Sequence, residues 1–379
     1  MRVEVRPELF QWAIDRAGLT AAAVLRRLPA LEAWESGERQ PTLKQLEAFA
    51  RLTHAPVGYF FLPEPPVERV PVPDFRTVAD TPVGRPSPDL LDTLYLCQQR
   101  QEWFREFARA EGQDPVSIVG AARITDDAVT TAARMREALQ FDLAARREAP
   151  TWEDALRAFI GQADALGVLV MVNGVVGNNN RRKLRPDEFR GFALSDALAP
   201  LVFVNGADTK SAQMFTLAHE LAHIWLGESA LSDVGPDVIP AHRVERWCNE
   251  VAAEFLVPLA SVRAEYRPTV ELHDETRRLA RVFKVSTLVV LRRLADAGAL
   301  TREEMWTAYM EEVARLKARA SAGGGDFYLT QAARVGKRFA RALVSSTLEG
   351  RTLYTEAFQL LGFSKLATFQ ELGKSLGVS

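Results

Sequence analysis

Residues 215–227 read FTLAHELAHIWLG and place His219, Glu220 and His223 in the spacing HExxH. Residues four apart share one face of an α-helix, so the two imidazoles point to the same place with a carboxylate beside them. Metallopeptidases use this arrangement to hold a zinc ion and to set a general base next to its water. We therefore expect His219 and His223 to bind Zn²⁺ and Glu220 to act as the catalytic base.

The third protein ligand of such a zinc site is expected on a downstream element. Residues 245–258, ERWCNEVAAEFLVP, contain three glutamates. Glu245 and Asn249 lie four residues apart on a helical face that is otherwise apolar, whereas Glu250 and Glu254 point away from that face. These positions around the helix predict Glu245 as the third ligand, and they predict that Asn249 orients a ligand histidine through a hydrogen bond.

Two neighbouring features have both a functional and an ordinary interpretation. His242 lies three residues before Glu245 and is a candidate oxyanion donor, or else a surface histidine. The segment PLVFVN (200–205) is either the strand that pairs with an extended peptide substrate or an interior strand. Cys248 is expected to be a small buried residue, because two histidines and a glutamate already complete the ligand set.

The composition is that of an ordinary globular protein of two or three domains. The chain has 379 residues, and 47 Lys+Arg against 49 Asp+Glu give a net charge of -2. That balance provides no overall attraction to nucleic acid or to anionic membranes. Two cysteines, an N-terminus without a signal-peptide pattern and the lack of a long apolar stretch predict a cytoplasmic protein.

The pattern along the chain predicts an α+β fold, mostly helical with a small β-sheet. Strands are expected at 168–172, 189–195 and 200–205, and the polar run 174–189 is expected to be a loop. A single helical stretch is expected at about 125–147. The predicted divisions are an N-terminal helix-turn-helix domain (1–62), a Pro-rich linker (63–88), a zincin-like metallopeptidase domain (89–265), a helical, helix-turn-helix-like subdomain (266–320) with a Gly-rich hinge at its end (320–325), and a helical C-terminal extension (321–379).

The N-terminal segment LTAAAVLRRLPALEAWESGERQPTLKQLEAFARL resembles the helix-turn-helix domain of Xre-type repressors. Such a domain places its second motif helix in the DNA major groove. Residues 1–60, however, contain eight Arg/Lys and seven Asp/Glu, so they lack a basic footprint for DNA. Two interpretations stay open: a DNA-contacting module, or a module that docks a partner protein.

Taken in order, several pieces resemble the ImmA/IrrE family of metallo-endopeptidases. They are WESGERQPTLKQLE, FFLPEPP with the nearby PDFR, RGFALS, PLVFVN, FTLAHELAH and ERWCNEVAAEFLVP. The resemblance covers about residues 1–320. It implies a cytosolic zinc protease that cuts one dedicated repressor or antitoxin-like protein, encoded nearby, in a response to stress or a mobile element. It also implies His219, His223 and Glu245 as zinc ligands and Glu220 as the base.

Two other classes of function compete with the endopeptidase. One is a DNA-binding regulator, such as the antitoxin of a toxin–antitoxin pair, with a vestigial metal site. The other is an adaptor whose zinc is purely structural. No membrane partner is expected for any of the three.

Overall fold

The structure is a computed structural model that describes residues 2–74, 77–78, 81–82, 86–232, 242–319 and 333–378. The predicted hinge at 320–325 and part of the predicted linker lie outside the described residues. The chain divides into two compact units. The first comprises Met1–Pro71 and Val83–Leu94, and the second comprises Val72–Pro82 and Tyr95–Ser379.

The first unit is a cluster of short helices around an aromatic core. The helices are α1 (Pro7–Arg16), α2 (Ala21–Leu25), α3 (Leu31–Glu35) and α4 (Leu43–Thr53), followed by a 3-10 turn (Val57–Phe61). Thr42 and Gln45 form a capping box at the start of α4, which satisfies backbone N–H groups that a helix end leaves free. Phe10 packs against Trp34, Phe49 and Phe60. The assignment of this unit to the helix-turn-helix class stays a prediction.

The described elements confirm the α+β class. The helices from residue 88 onward are α5 (Pro88–Ala110), α6 (Ala128–Ala138), α7 (Leu143–Glu148), α8 (Trp152–Ala165), α9 (Lys210–Leu226), α10 (Arg243–Leu256), α11 (Leu259–Glu265), α12 (Leu272–Phe283), α13 (Thr287–Asp296), α14 (Arg302–Arg319), α15 (Lys337–Leu348), α16 (Tyr354–Leu361) and α17 (Leu366–Ser375). The strands are β1 (Thr77–Val78), β2 (Thr81–Pro82), β3 (Leu169–Asn173), β4 (Val175–Val176), β5 (Asn179–Lys183), β6 (Gly191–Leu194), β7 (Leu201–Asn205) and β8 (Ala230–Ser232).

The main sheet has four strands in the order β3-β7-β6-β8. β7 pairs with β3 in parallel and with β6 antiparallel, so both of its edges are already hydrogen-bonded. The substrate-pairing interpretation of residues 200–205 is therefore wrong, and PLVFVN contains an interior strand. A sheet accepts an added peptide strand only at a free edge.

Two other predictions about local structure are also wrong. Residues 174–189 are not only a loop, because β4 and β5 pair as a small antiparallel hairpin. The helical stretch predicted at 125–147 is two helices, and the turn between them holds Gln140 at φ 46°. A left-handed residue ends a right-handed helix, so α6 and α7 cannot be continuous.

Helix α9 lies against the sheet and is covered on its other side by α10, which also packs on α6. The Thr209 hydroxyl caps α9 by accepting from the backbone N–H of Ala212, and Gly227 ends the helix at φ 75°. Buried stacked rings of Phe141, Phe159 and Phe255 fill the space behind α10. This packing buries most of α9, including its HExxH residues, in the core.

The C-terminal helices pack on the same sheet. α15 lies against β3, and at Gly336 an added Cβ would stand 2.8 Å from the carbonyl oxygen of Val170. The buried Arg100 guanidinium donates to the carbonyl of Leu360 at 2.9 Å, and the Asn178 amide donates to the carbonyl of Gly362 at 2.9 Å. Residues 335–376 thus contribute to the interior of the second unit.

Candidate metal centre

Helices α9 and α10 bring His219, His223 and Glu245 together in the core of the second unit. The two Nε2 atoms lie 3.2 Å apart. The Glu245 carboxylate is 3.1 Å from His219 Nε2 through one oxygen and 3.0 Å from His223 Nε2 through the other. Both histidines are fully buried, and Glu245 is 3% exposed. Within the described ranges, this is the group of His, Cys, Asp and Glu side chains whose ligand atoms fit around one metal ion.

The three side chains fit a zinc ion in spacing and in charge. Tetrahedral ligands about 2.05 Å from zinc are about 3.3 Å apart, which is close to the distances between these ligand atoms. Glu245 and Glu220 place two carboxylates beside two histidines in a site without solvent exposure. Buried charge needs compensation, and a divalent cation at this point would supply it.

Glu220 lies beside this group and carries a perturbed acidity. Burial, and then the charge of Glu245, raise the pKa of Glu220 well above its usual value, against a smaller lowering by the Ser232 hydroxyl. Neither carboxylate oxygen of Glu220 makes a hydrogen bond of ordinary geometry with a described residue. A buried carboxylate with a raised pKa is suited to proton transfer, because it holds a proton more readily than an exposed carboxylate does.

His223 and Glu245 shift each other's pKa in opposite directions. Burial lowers the pKa of His223, and Glu245 partly offsets that effect. Burial raises the pKa of Glu245, but the charges and hydrogen bonds of His219 and His223 outweigh burial and hold the pKa below its usual value. A neutral His223 beside an ionised Glu245 is the protonation state in which both side chains can bind a metal.

Ser232 is a site residue that sequence reasoning missed. Its hydroxyl lies 3.4 Å from a Glu245 carboxylate oxygen and 3.5 Å from His223 Nε2. Ser232 is the last residue of β8, an edge strand of three residues that pairs with β6. A strand this short has no detectable alternation, so the pattern gave no signal for it.

The remaining candidates occupy the following places. Asn249 lies one turn after Glu245 on α10, and its Oδ1 is buried without a hydrogen-bond partner among the described residues. The same holds for His219 Nδ1, so the expected hydrogen bond from a ligand histidine to Asn249 is not formed at that nitrogen. His242 is the exposed N-cap residue of α10.

The two rival glutamates of α10 are directed elsewhere. Glu254 is buried and forms an ion pair with Arg293, while Glu250 is exposed. Cys248 is fully buried and free, and burial raises the pKa of its thiol well above the usual value, as expected for a small core residue.

Gly191 of β6 allows the sheet to approach the helix that bears the histidines. A Cβ at this position would stand 2.5 Å from Thr216 Cγ2, 2.8 Å from the Phe203 carbonyl oxygen and 3.1 Å from Glu220 Cγ. Only glycine fits between β7 and α9 at that distance. The close contact fixes the position of Glu220 against the sheet.

The outer edge of β8 is partly covered by the chain itself. The backbone N–H of Leu231 donates to the carbonyl of Pro73 at 2.9 Å, and Asp74 forms a parallel bridge with Leu231. Of the two edge strands, β3 and β8, it is β8 that carries Ser232, whose hydroxyl lies beside Glu245 and His223.

Comparison with known proteins agrees with this geometry. Residues 163–295 match the family model of the IrrE N-terminal-like domain, peptidase M78. Residues 335–375 match the model of a domain of unknown function, DUF8813. No curated protein matches the chain. The first match supports the ImmA/IrrE family for the segment that carries all three candidate ligands, and it implies a metallopeptidase-like function with a metal. No described helix is long and apolar enough to cross a membrane.

Proposed function

We propose that this protein is a zinc-dependent endopeptidase. The observation that carries the proposal is the buried group of His219, His223 and Glu245 beside Glu220, inside a segment that matches the peptidase M78 model. In this proposal His219, His223 and Glu245 hold the zinc ion. When bound, zinc supplies a Lewis acid for the scissile carbonyl and for the attacking water.

Separate residues of the chain then transfer the proton, orient a ligand histidine and contact the oxyanion. Glu220 takes a proton from the attacking water and delivers it to the leaving amine nitrogen. Asn249 is the proposed positioning residue for a ligand histidine, through a hydrogen bond that His219 Nδ1 does not make in the structure. His242, at the exposed start of α10, is the proposed donor to the oxyanion.

The substrate in this proposal is one regulatory protein, a repressor or antitoxin encoded nearby. The protease would act in the cytoplasm in a stress or mobile-element response, and the buried free thiols of Cys97 and Cys248 fit a reducing compartment. The helix-turn-helix domain (1–62) docks this partner rather than DNA, because its charge is nearly balanced. The linker (63–88), the peptidase domain (89–265), the helical subdomain (266–320) and the C-terminal extension (321–379) complete the proposed organisation.

Glu220→Gln tests the catalytic role. The variant should fold and bind zinc like the parent, because it keeps the three ligands, but cleavage of the partner should fall at least about 100-fold without the base. The assay is incubation with the product of the neighbouring gene, with and without a chelator, followed by mass spectrometry of the fragments.

Glu137→Gln is the matched control, since it makes the same change at an exposed carboxylate on α6. Cleavage by this control should equal that of the parent. Cleavage by Glu220→Gln at the parental rate, or cleavage that persists after complete removal of zinc, would rule out the mechanism.

A further inference from the structure

A large cleft opens beside the candidate metal centre. Its volume is about 1030 Å³, and its walls come from α9, α10, α12, α13 and α14. Two lining residues connect it to the centre: Thr216 is one turn before His219 on α9, and Asn249 is one turn after Glu245 on α10. The volume lies at the upper end of the range for small-molecule sites, so the cleft has room for a segment of peptide.

The cleft has an uncompensated positive charge. Arg190 pairs with Asp208, and Arg293 pairs with Asp296 as well as Glu254. Five other lining arginines make no ion pair or side-chain hydrogen bond with a described residue. They are Arg246, Arg277, Arg281, Arg292 and Arg302.

The acidic residues of the lining do not balance those five. Asp208 and Asp296 are already paired, and Glu312 is engaged by Arg315 and by the Thr287 hydroxyl. Glu250 is the one lining carboxylate without an ion pair among the described residues. Aligned cations at a concave surface raise the local concentration of negatively charged ligands.

The floor between these arginines is apolar. Phe215, Leu288, Met305 and Trp306 line it, and Trp306 and Phe215 are partly exposed. A partner that fits such a surface presents hydrophobic side chains to the floor and carboxylates to the rim. Nucleic acid fits less well, because a phosphate backbone would leave the apolar floor without contacts.

We propose that this cleft binds a peptide segment of the protein substrate that carries both acidic and hydrophobic side chains, and that it holds this segment next to the metal centre. The inference rests on the proposed endopeptidase function and deepens it by naming the chemistry of the substrate. Carboxylates of the substrate pair with arginines of α10, α12, α13 and α14, while its apolar side chains fill the floor. The recognition is then separate from the bond-breaking step, so binding does not require zinc.

The test measures binding to the full-length protein with Glu220→Gln, so that no cleavage occurs. The probe is a fluorescein-labelled peptide of Glu, Leu and Ala, followed by fluorescence anisotropy. Its affinity should fall by about tenfold or more in R277E/R281E/R292E and should weaken as salt increases. The same peptide with every Glu changed to Gln should bind much more weakly.

The matched control is R123E/R181E/R263E, which makes the same charge change at exposed arginines outside the cleft lining. It should bind the acidic peptide like the parent. The milder variant R277Q/R281Q/R292Q and circular dichroism spectra check that a loss of binding is not caused by misfolding. The salt dependence of peptide binding is measured on the parent cleft, so it does not depend on any cleft variant being folded. Equal affinity for the neutral peptide, equal loss in the control, or tighter binding of an oligothymidylate of similar length would overturn the proposal. None of these readouts depends on cleavage, so failure of the cleft proposal is distinguishable from failure of the peptidase mechanism.

Discussion

Among single residues outside the metal centre, Asp164 near the end of α8 is strongly perturbed. Burial raises its pKa to about 7, although the backbone N–H of Val170 and the cations of Arg338, Lys337 and Arg341 act in the other direction. The Val170 N–H lies 3.4 Å from the carboxylate, too long for a strong hydrogen bond. The side chain is therefore an acid that the fold keeps partly protonated at neutral pH.

This raised pKa predicts that Asp164 destabilises the protein as the pH increases. Between about pH 4 and pH 7 the unfolded chain has lost the proton of Asp164 and the folded chain still holds it. The unfolded state then binds fewer protons, so the free energy of unfolding decreases with pH across that window. Asp164→Asn should remove the decrease and stabilise the protein at pH 8 by about 1–2 kcal/mol, with little change at pH 4.

Urea unfolding of the parent and variant at both pH values measures this difference. Asp114→Asn, at an exposed aspartate, is the control and should leave the difference near zero. A variant that is equally destabilised at pH 4 and pH 8 would show that Asp164 acts through packing rather than through its charge.

Which site residues the sequence could predict depends on how local their signal is. The grouping of Glu245 with His219 and His223 followed from helical phase, because residue spacing along a regular helix determines which face each side chain occupies. Ser232 reaches the same group from a three-residue strand, and no periodicity identifies it. The arginines of the cleft come from four helices, so only the tertiary packing brings them together.

At the scale of helices and strands, capping residues were reliable signals. The Thr151 and Ser286 side chains accept hydrogen bonds at the starts of α8 and α13, as is typical of Ser and Thr at the N-cap position. The β4–β5 hairpin was missed because β5 reads NNRRK, which has the composition of a loop. Whether β7 lies inside the sheet depends on pairing with β3, about thirty residues away, which local pattern does not encode.

The helix α15 provides a test of the C-terminal segment as part of the core. Phe339 on this helix is fully buried and contacts the ring of Trp103 on α5. Phe339→Ala should lower the free energy of unfolding by about 3–5 kcal/mol, through lost burial and the cavity left behind. Denaturant titration followed by circular dichroism measures it.

Leu348→Ala on the same helix is the control, because Leu348 is 48% exposed. Its effect should stay within about 0.5 kcal/mol. A small effect of Phe339→Ala, comparable with that of Leu348→Ala, would mean that α15 is a detachable element rather than part of the core.

For the whole molecule, the division into two units makes metal binding a test of the site that needs no substrate. Only the second unit contains His219, His223 and Glu245. A ligand that binds the folded state alone stabilises it by about 2.7 kcal/mol at a hundred times its dissociation constant. Zinc should therefore raise the melting temperature of one of two calorimetric transitions by roughly 5–10 °C and leave the other unchanged.

Removal of a ligand gives the decisive comparison. His223→Ala and Glu245→Ala should each lose most of the zinc-dependent shift, because three ligands are the usual minimum for such a site. Glu220→Gln should retain the shift, since in our proposal Glu220 is the base and not a ligand. For each variant, the melting temperature after chelation is compared with that after zinc is added back. Any loss of packing at the mutated position affects both measurements and cancels from the zinc-dependent shift. If zinc raised both transitions alike, or raised the His223→Ala transition as much as that of the parent, the metal would be binding elsewhere and the three buried side chains would have a purely structural role.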